Sequence, residues 1–290
     1  MAGLRDIRRR VKSIGNTAQI TRAMQMVAAS KMRKAQDAAL TTRPFGQLLY
    51  RIQRRATTSA RDFTHPLITV REVRNRAVIL VGTDKGLCGS LNTNLFRKAE
   101  QFDRDTTVYI TIGKRAAQFI ARTRRRLVGE FTITDSPRFA DARAIAASAR
   151  DLFLSGQVDQ VQIVATRFIN TLTQQPAVAE FLPIGEITSL KIPGAESEAD
   201  LAADTTEVLF EPSPEAVLTY LFGHYLNILV YRALLEAKAS EQSARMVAMT
   251  NATDNATALI KDLKLEYNKL RQGNITKELL EIAGGQLGNG

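Results

Sequence analysis

The sequence predicts a central α/β domain placed between two long helices, one at each chain end, that pair as a coiled coil. Near both ends, apolar residues recur at alternating steps of three and four, which is typical of helices that wind around each other. Between them, short aliphatic runs alternate with helical stretches, which favours a mainly parallel sheet covered by helices. We therefore divide the chain into residues 1–60 (N-terminal coiled-coil helix), 61–211 (α/β domain) and 212–290 (C-terminal coiled-coil helix).

The C-terminal stretch carries the longer repeat. It runs from Leu218 to Leu270, and only Arg232, Gln242 and Thr253 among its sixteen positions are neither apolar nor aromatic. A repeat of 3.5 residues held over this length indicates a helix that winds against another helix.

The limits of this helix are marked by the residues at its two ends. Ser213-Pro214-Glu215 supplies a hydroxyl N-cap, a proline at the first helical position and an acid near the positive end of the helix dipole. Gly284-Gly285 predicts its end. A helix over Glu215–Ala283 would be about 100 Å long.

The N-terminal stretch repeats the same pattern from Leu4 to Ala39, with Thr21 and Gln25 as its polar members. The simplest interpretation is that the two terminal helices pair within one chain. Two separate coils, each formed with a second copy of the chain, remain an alternative because periodicity does not identify the partner helix.

The middle of the chain predicts a Rossmann-like domain with a mainly parallel sheet. Strands are expected over Ala77–Val81, Val108–Ile112, Val161–Ala165, Ala177–Leu182 and Val208–Phe210, the last two being weaker. Helices are expected over Leu91–Phe102, Lys114–Arg125 and Pro137–Ser155, the last with Ser136 as its N-cap and Gly156 after its end.

Charge is concentrated near the N-terminus. The formal net charge is +11, and residues 1–60 hold thirteen basic and two acidic residues, so this segment carries the whole excess. A cationic helix of this kind seeks nucleic acid, an anionic membrane surface or an acidic protein groove. No aromatic residue precedes Phe45, so the cationic part lacks the stacking platforms of single-strand binders. Arg122–Arg126 has two interpretations, a phosphate-binding patch or a solvated helix end favoured by the negative end of the helix dipole.

The residues offer little for catalysis, cofactor binding or metal binding. His65 and His224 are the only histidines, and neither has metal-ligand spacing to another His or to Cys88, the only cysteine. Gly82–Ser90 follows a strand and opens a helix, but it matches neither a Walker A loop nor a dinucleotide-binding fingerprint. A tight turn is the main interpretation, with nucleotide binding as the alternative. The single cysteine predicts a reducing compartment, and the charged first residues argue against a signal peptide.

Three separated segments resemble the gamma subunit of F-type ATP synthases of the bacterial type, in the order and over the length of that family. They are Asn16–Arg33 with Met26-Val27-Ala28-Ala29-Ser30-Lys31-Met32-Arg33, the turn Asp84-Lys85-Gly86-Leu87-Cys88-Gly89, and the C-terminal run from Ser240 through Asn251-Ala252-Thr253-Asp254-Asn255-Ala256 to Leu279. The turn carries Lys85 where the family has arginine. The cysteine-bearing insertion of the chloroplast relatives is missing.

The resemblance implies a central-stalk rotor that is not catalytic on its own and needs no cofactor or metal. Its terminal helices would form an antiparallel coiled coil inside a ring of alpha and beta subunits. The α/β domain would contact the epsilon subunit and the membrane c-ring of a proton-translocating ATP synthase. The chain would therefore lie at the cytoplasmic side of a bacterial inner membrane, as a peripheral protein held there by its partners and not bound to nucleic acid.

The resemblance also assigns residues by position. The shaft contacts to the alpha and beta subunits are Arg8, Met24, Lys31, Arg33 and Lys34. The contacts to the catch loops of the beta subunits are Arg271, Gln272, Thr276 and Glu278. The turn of the lower domain comprises Asp84, Lys85, Gly86, Cys88 and Gly89. The alternative for each is an exposed residue that serves solubility. The alternative for the whole chain is a basic coiled-coil nucleic-acid-binding or scaffold protein.

Overall fold

The computed structural model describes residues 3–41, 64–184, 211 and 213–287. In chain order the elements are α1 (Leu4–Thr41), β1 (Arg76–Val81), α2 (Leu91–Ala99), β2 (Thr107–Ile112), α3 (Lys114–Arg122), β3 (Arg126–Phe131), α4 (Phe139–Leu154), β4 (Gln160–Phe168), β5 (Gln174–Leu182) and α5 (Pro214–Leu287). The strand expected over Val208–Phe210 lies outside the described residues. The chain forms two compact units, one made of Met1–Ala28 with Arg245–Gly290 and the other of Ala29–Ala244.

The first unit is the antiparallel coiled coil, and burial follows the repeat found in the sequence. Between residues 254 and 271 of α5, every position outside the repeat is exposed, whereas Ala256, Ile260, Leu263, Tyr267 and Leu270 are buried or half-buried. On α1 the repeat positions from Leu4 to Ala35 are likewise at least half-buried. The pairing of the two chain ends is therefore confirmed.

The register of the coil is marked by a polar contact between the helices. The hydroxyl oxygens of Thr21 and Thr253 lie 2.7 Å apart, so these two interruptions of the repeat face each other. Counting along both helices from this pair places Leu4 level with Leu270. Residues 271–287 of α5 therefore extend beyond the start of α1, over about 25 Å at 1.5 Å per residue.

The second unit is built on a five-stranded sheet with the order β3-β2-β1-β4-β5. Neighbouring strands from β3 to β4 run parallel, and β5 is antiparallel to β4. Val78 and Leu80 of β1 face α2 and α3, while Ala77 and Ile79 belong to the larger core that α4 and α5 cover. Both faces of the sheet are therefore buried, which explains the continuous aliphatic run of β1.

Within this unit, most of helix α5 is at least half-buried on all sides instead of on one narrow side. None of residues 221–244 is exposed, because apolar side chains on several sides of the helix, among them Phe222, Leu226 and Leu234, enter the large core. The repeat continues through this segment, but here it does not separate a buried from an exposed side. Periodicity alone therefore predicted the helix but not its burial.

Three details of the sequence prediction are wrong. Strand β3 was missed because it is an edge strand with exposed and charged residues and only a weak alternation. Helix α4 begins at Phe139 with Arg138 as N-cap, not at Pro137 after Ser136; the Asp141 carboxylate accepts the Arg138 backbone N–H at 3.1 Å and so fixes the start. Helix α5 passes through Gly284-Gly285 to Leu287, since glycine weakens a helix by about 1 kcal/mol without forbidding its geometry.

The start of α5 agrees with the prediction. The Ser213 hydroxyl accepts a hydrogen bond from the Ala216 backbone N–H at 3.3 Å, so Ser213 is the N-cap. Gly156 follows α4 with a φ of 74°, the left-handed conformation typical of the residue after a helix end.

Candidate functional site

The unpaired end of α5 carries four of the residues assigned to partner contacts. Arg271, Gln272, Thr276 and Glu278 lie on this segment, and all four are exposed. The Thr276 hydroxyl donates to the Gln272 backbone carbonyl at 2.9 Å, so its own hydrogen-bonding capacity is largely met within the helix. Arg271, Gln272 and Glu278 present a cation, an amide and an anion within two turns of one helix. This end can therefore take part in directional polar contacts with a partner.

Apolar residues on the same segment were missed by the sequence analysis. Ile275, Leu279 and Leu280 are 48%, 62% and 67% exposed. Large apolar side chains at positions i, i+4 and i+5 form a continuous apolar side of a helix, and here α1 does not reach them. The available signal was the mismatch in length, because the repeat on α1 starts at Leu4 and leaves the last turns of α5 without a partner helix. The segment combines a polar and an apolar side, both open to a partner.

The residues assigned on α1 are placed differently from one another. In the coiled coil, Arg8 is exposed and Met24 is half-buried. In the α/β unit, Arg33 and Lys34 are exposed. Lys31 instead donates to the Asp135 carboxylate, with Nζ 2.6 Å from Oδ2. Three of the five therefore present exposed polar groups, while Lys31 is held by its own chain.

Asp135 was not identified from the sequence, and its contact has an electrostatic consequence. The hydrogen bond from Lys31 holds the pKa of the Asp135 carboxyl below its usual value, and the charges of Lys31, Lys238 and Lys85 act in the same direction. Lys31 on α1 therefore contacts the carboxylate directly, while Lys238 on α5 and Lys85 in the turn after β1 act on it through space. The group links the base of α1 to the segment between β3 and α4.

Asp135 allows a prediction about pH. Because its pKa is lowered on folding, the carboxylate stabilises the folded state above the pKa of the unfolded chain, and this contribution is lost as the pH falls through the folded-state pKa. The pair is about half exposed to solvent, so Asp135→Asn should lower the free energy of unfolding near neutral pH by only about 0.5 kcal/mol, and by less at an acidic pH below the folded-state pKa. Urea unfolding at both pH values measures this difference.

A titration of Asp135 by NMR provides the control. In the Lys31→Met variant the hydrogen bond is missing, so the carboxyl should titrate at a higher pH than in the parent chain. An unchanged titration would show that Lys31 does not determine the pKa of Asp135.

The turn after β1 is a compact strand-to-helix connection. The Asp84 carboxylate accepts the Lys114 backbone N–H at 3.1 Å, which places it at the start of α3. The Asn92 amide donates to the Thr83 hydroxyl at 2.8 Å and to the Cys88 sulfur at 3.5 Å. Cys88 is buried, whereas Lys85 is exposed. The turn thus buries its cysteine and leaves one cation facing solvent, with Gly86 and Gly89 beside it.

A group of buried polar residues lies where α5 leaves the α/β unit. Lys238 and Glu241 form a salt bridge of 3.1 Å, and each side chain is only 5% exposed. Ser240 donates to the Thr166 carbonyl at 3.2 Å and Ser243 to the Thr171 carbonyl at 2.7 Å. The hydroxyls attach α5 to the end of β4 and the loop that follows it, so the helix is fixed there by directional bonds as well as by apolar packing.

The described part of the chain contains no group of three or more His, Cys, Asp and Glu side chains arranged to hold a metal ion. None of the described helices combines the length and the apolar character of a membrane span.

The fold and these surfaces define a class of protein in which both chain ends supply a coiled coil and the middle supplies an α/β unit. Comparison with known proteins identifies the family. The family model described as ATP synthase matches residues 3–287. The ATP synthase gamma chain of Opitutus terrae is 46% identical over 290 residues, covering 99% of this chain and 98% of its own. The chain belongs to the ATP synthase gamma-chain family.

Solved structures agree with this assignment. The central stalk and c-ring structure of the Tetrahymena thermophila mitochondrial ATP synthase contains a chain with 27% identity and a TM-score of 0.61, covering 80% of this chain and 99% of that one. A chain of the Euglena gracilis mitochondrial enzyme shares the fold, with a TM-score of 0.66 and 20% identity over 98% of this chain and 93% of its own. The protein is a non-catalytic subunit of ATP synthase and a central-stalk rotor. Nothing in these comparisons supports a nucleic-acid-binding or scaffold protein.

Proposed function

We propose that this chain transmits torque between a membrane c-ring and a catalytic hexamer of alpha and beta subunits, so that proton flow drives ATP synthesis. The coiled coil, Met1–Ala28 with Arg245–Gly290, would act inside the hexamer. The α/β unit, Ala29–Ala244, would contact the epsilon subunit and the c-ring. The chain would then lie at the cytoplasmic side of a bacterial inner membrane as a peripheral protein, held there by its partners.

The observation that carries this proposal is the end of α5 beyond residue 270. An isolated chain exposes there a continuous apolar surface of Ile275, Leu279 and Leu280 beside Arg271 and Glu278. Exposed apolar clusters flanked by polar groups are typical of protein interfaces. A collar in the hexamer that is apolar in part and offers acidic loops to Arg271 would fit both sides of this segment.

The two helices of the coil give the mechanism its asymmetry. Arg8 and its basic neighbours make α1 strongly cationic, whereas residues 254–271 of α5 carry three acidic residues, Asp254, Asp262 and Glu266, among their basic ones. Three chemically identical sites arranged around such a coil therefore face different surfaces. A rotor changes the state of a site only by contacting its two states differently. Moving a site from almost fully open to almost fully closed needs a difference of about 5.5 kcal/mol in contact energy.

A second contact region is proposed on the α/β unit. Arg33 and Lys34 on α1 and Lys85 in the turn after β1 are exposed cations of the α/β unit. These cations would attract an acidic loop of a beta subunit electrostatically and form charge-assisted hydrogen bonds with its carboxylates. Lys31 would contribute less, because Asp135 neutralises part of its charge.

Substitutions at the α5 end test the proposal. In an enzyme reconstituted with alpha, beta, epsilon and the membrane sector, Arg271→Glu combined with Gln272→Leu should lower ATP-driven rotation and proton-driven ATP synthesis about tenfold or more. Losing one charge-assisted hydrogen bond and reversing the charge at that position should cost roughly 2–3 kcal/mol of contact energy. A change of about 1.4 kcal/mol corresponds to a factor of ten in rate. ATP-driven rotation and proton-driven ATP synthesis are both measured on the same preparation.

A matched control uses the same chemical changes in the α/β unit. Arg143→Glu with Gln118→Leu alters two exposed residues, so it should leave both activities near those of the parent. Full rotation and synthesis in the Arg271 and Gln272 variant would remove these residues from the contact surface. Failure of the parent chain to assemble with alpha and beta subunits would refute the proposed function itself.

A further inference from the structure

A cluster of exposed arginines lies at the edge of the sheet where the parallel strands begin. We define the amino-edge arginine patch as Arg104, Arg122, Arg124 and Arg126. Arg104 precedes β2, and the other three lie at the end of α3 and the start of β3. The Arg104 guanidinium donates to the Arg124 carbonyl at 3.1 Å, so the two connections are joined. All four side chains are exposed.

Their neighbour Arg125 has a structural role that Arg122, Arg124 and Arg126 lack. Its guanidinium donates to the Phe102 carbonyl at 3.0 Å and to the Tyr109 hydroxyl at 2.9 Å, which holds the two connections together. By contrast, none of the ion pairs found among the described residues involves Arg122, Arg124 or Arg126. Of the nearby acids, Asp103 accepts the Asp105 and Thr106 backbone N–H groups and is engaged in its own turn. The patch charges therefore remain largely uncompensated.

The backbone conformation at Arg124 is unfavourable for an arginine, which indicates that this side chain does not serve folding. Arg124 has a φ of 52°, in the left-handed region. Helices usually place glycine or asparagine at such a position after their end, because a β-carbon makes it costly by about 1 kcal/mol. The helix dipole accounts for Arg122 in the last turn of α3, but not for a strained arginine beyond it.

Apolar side chains adjoin the patch. Leu127 and Val128 are 41% and 46% exposed on β3, which is an edge strand of the sheet. Basic residues beside exposed apolar ones form the combination that binds at the surface of an anionic membrane, where arginines contact phosphates and apolar groups enter the interface.

The place of the patch in the α/β unit leaves it open to a partner. Ser240 and Ser243 attach α5 near the carboxyl end of β4, at the opposite edge of the sheet, so this segment of α5 does not cover the patch. We propose that the amino-edge arginine patch binds the headgroups of anionic phospholipids at the membrane surface. This rests on the proposed function, because a rotor held at the membrane by its partners brings its α/β unit close to the lipid headgroups.

Vesicle binding of the assembled complex with alpha and beta subunits tests the proposal, since that assembly covers the cationic coil. The patch variant is Arg122→Gln, Arg124→Gln and Arg126→Gln, and the control is Lys114→Gln, Arg115→Gln and Arg143→Gln, which removes the same charge from exposed positions elsewhere in the unit. Complex formation is verified first by gel filtration. Partitioning is then measured on vesicles of phosphatidylcholine with phosphatidylglycerol and on vesicles of phosphatidylcholine alone.

The patch variant should bind the anionic vesicles about 100-fold more weakly than the parent complex, and the control within about threefold, since each basic residue near an anionic surface contributes about 1 kcal/mol. The difference should shrink at high salt. Equal weakening in both variants, or no binding of the parent complex to anionic vesicles, would overturn the proposal. Either result leaves the proposed function standing if the complex with alpha and beta subunits forms and the reconstituted enzyme makes ATP from proton flow.

Arg124→Gly separates binding from folding. Glycine relieves the left-handed strain, so this variant should be at least as stable as the parent chain in urea while its complex binds anionic vesicles about fivefold more weakly. A loss of stability would show that the arginine side chain is needed for folding and would count against the inference, as would unchanged vesicle binding.

Discussion

Replacing Phe222 by alanine should lower the free energy of unfolding of the α/β unit by about 4 kcal/mol, the typical cost of emptying a large buried aromatic site. Phe222 is fully buried in the larger core, where α5 packs on the sheet, and its ring lies 5.3 Å from that of His65. Urea unfolding followed by tyrosine fluorescence measures the loss, because Tyr109 and Tyr225 are buried in the same unit.

The matched control for this substitution is two residues away on the same helix. Tyr220 is 76% exposed, so Tyr220→Ala should change the free energy of unfolding by no more than about 0.5 kcal/mol. If both variants lost the same amount, the cost would come from helix propensity or from the aromatic residue type, and the packing of α5 on the sheet would not be its source.

Lys238→Met should lower the free energy of unfolding by about 3 kcal/mol. The Lys238 ammonium and the Glu241 carboxylate are 3.1 Å apart and almost completely shielded from water. Removing the cation takes one charge-assisted partner from a buried carboxylate, which costs far more than the intact pair contributes. The same urea experiment measures the effect near neutral pH.

A second variant distinguishes this explanation from a loss of packing. When Lys238→Met is combined with Glu241→Gln, the buried charge is gone while the shape of the side chain is kept, so more than half of the lost stability should return. The explanation would be wrong if the double variant were less stable than Lys238→Met alone. It would also be wrong if the single change cost less than about 1 kcal/mol.

The coiled coil is the part of the fold that local pattern predicts best. Its repeat positions, such as Ile7 on α1 and Leu263 on α5, are buried as the periodicity requires, because a two-helix contact buries one narrow side of each helix. The same rule did not describe residues 221–244 of α5, where the surrounding α/β unit covers the helix on several sides. Periodicity reports one partner helix, and it does not report how many other elements enclose a helix.

The partner surfaces were only partly predictable. Arg271 and Gln272 were assigned through family resemblance, whereas the apolar side formed by Ile275, Leu279 and Leu280 depends on where α1 starts relative to α5. Asp135 and Lys31 are 104 positions apart in the sequence, and no local pattern relates a loop carboxylate to a lysine on a distant helix. Edge strand β3 was missed because an exposed strand lacks the apolar alternation that identifies a half-buried one.

The sequence by itself determined the two terminal helices, the alternation of strands and helices between them, and the excess of positive charge near the N-terminus. These features follow from local periodicity and composition, which each segment carries without reference to the others. Only the tertiary structure decided the Thr21–Thr253 register, the unpaired end of α5, the buried Lys238–Glu241 pair and the place of Arg104 beside the arginines of residues 122–126. Each of these depends on which distant residues are brought together, and that is set by packing of the whole unit rather than by any one stretch of sequence.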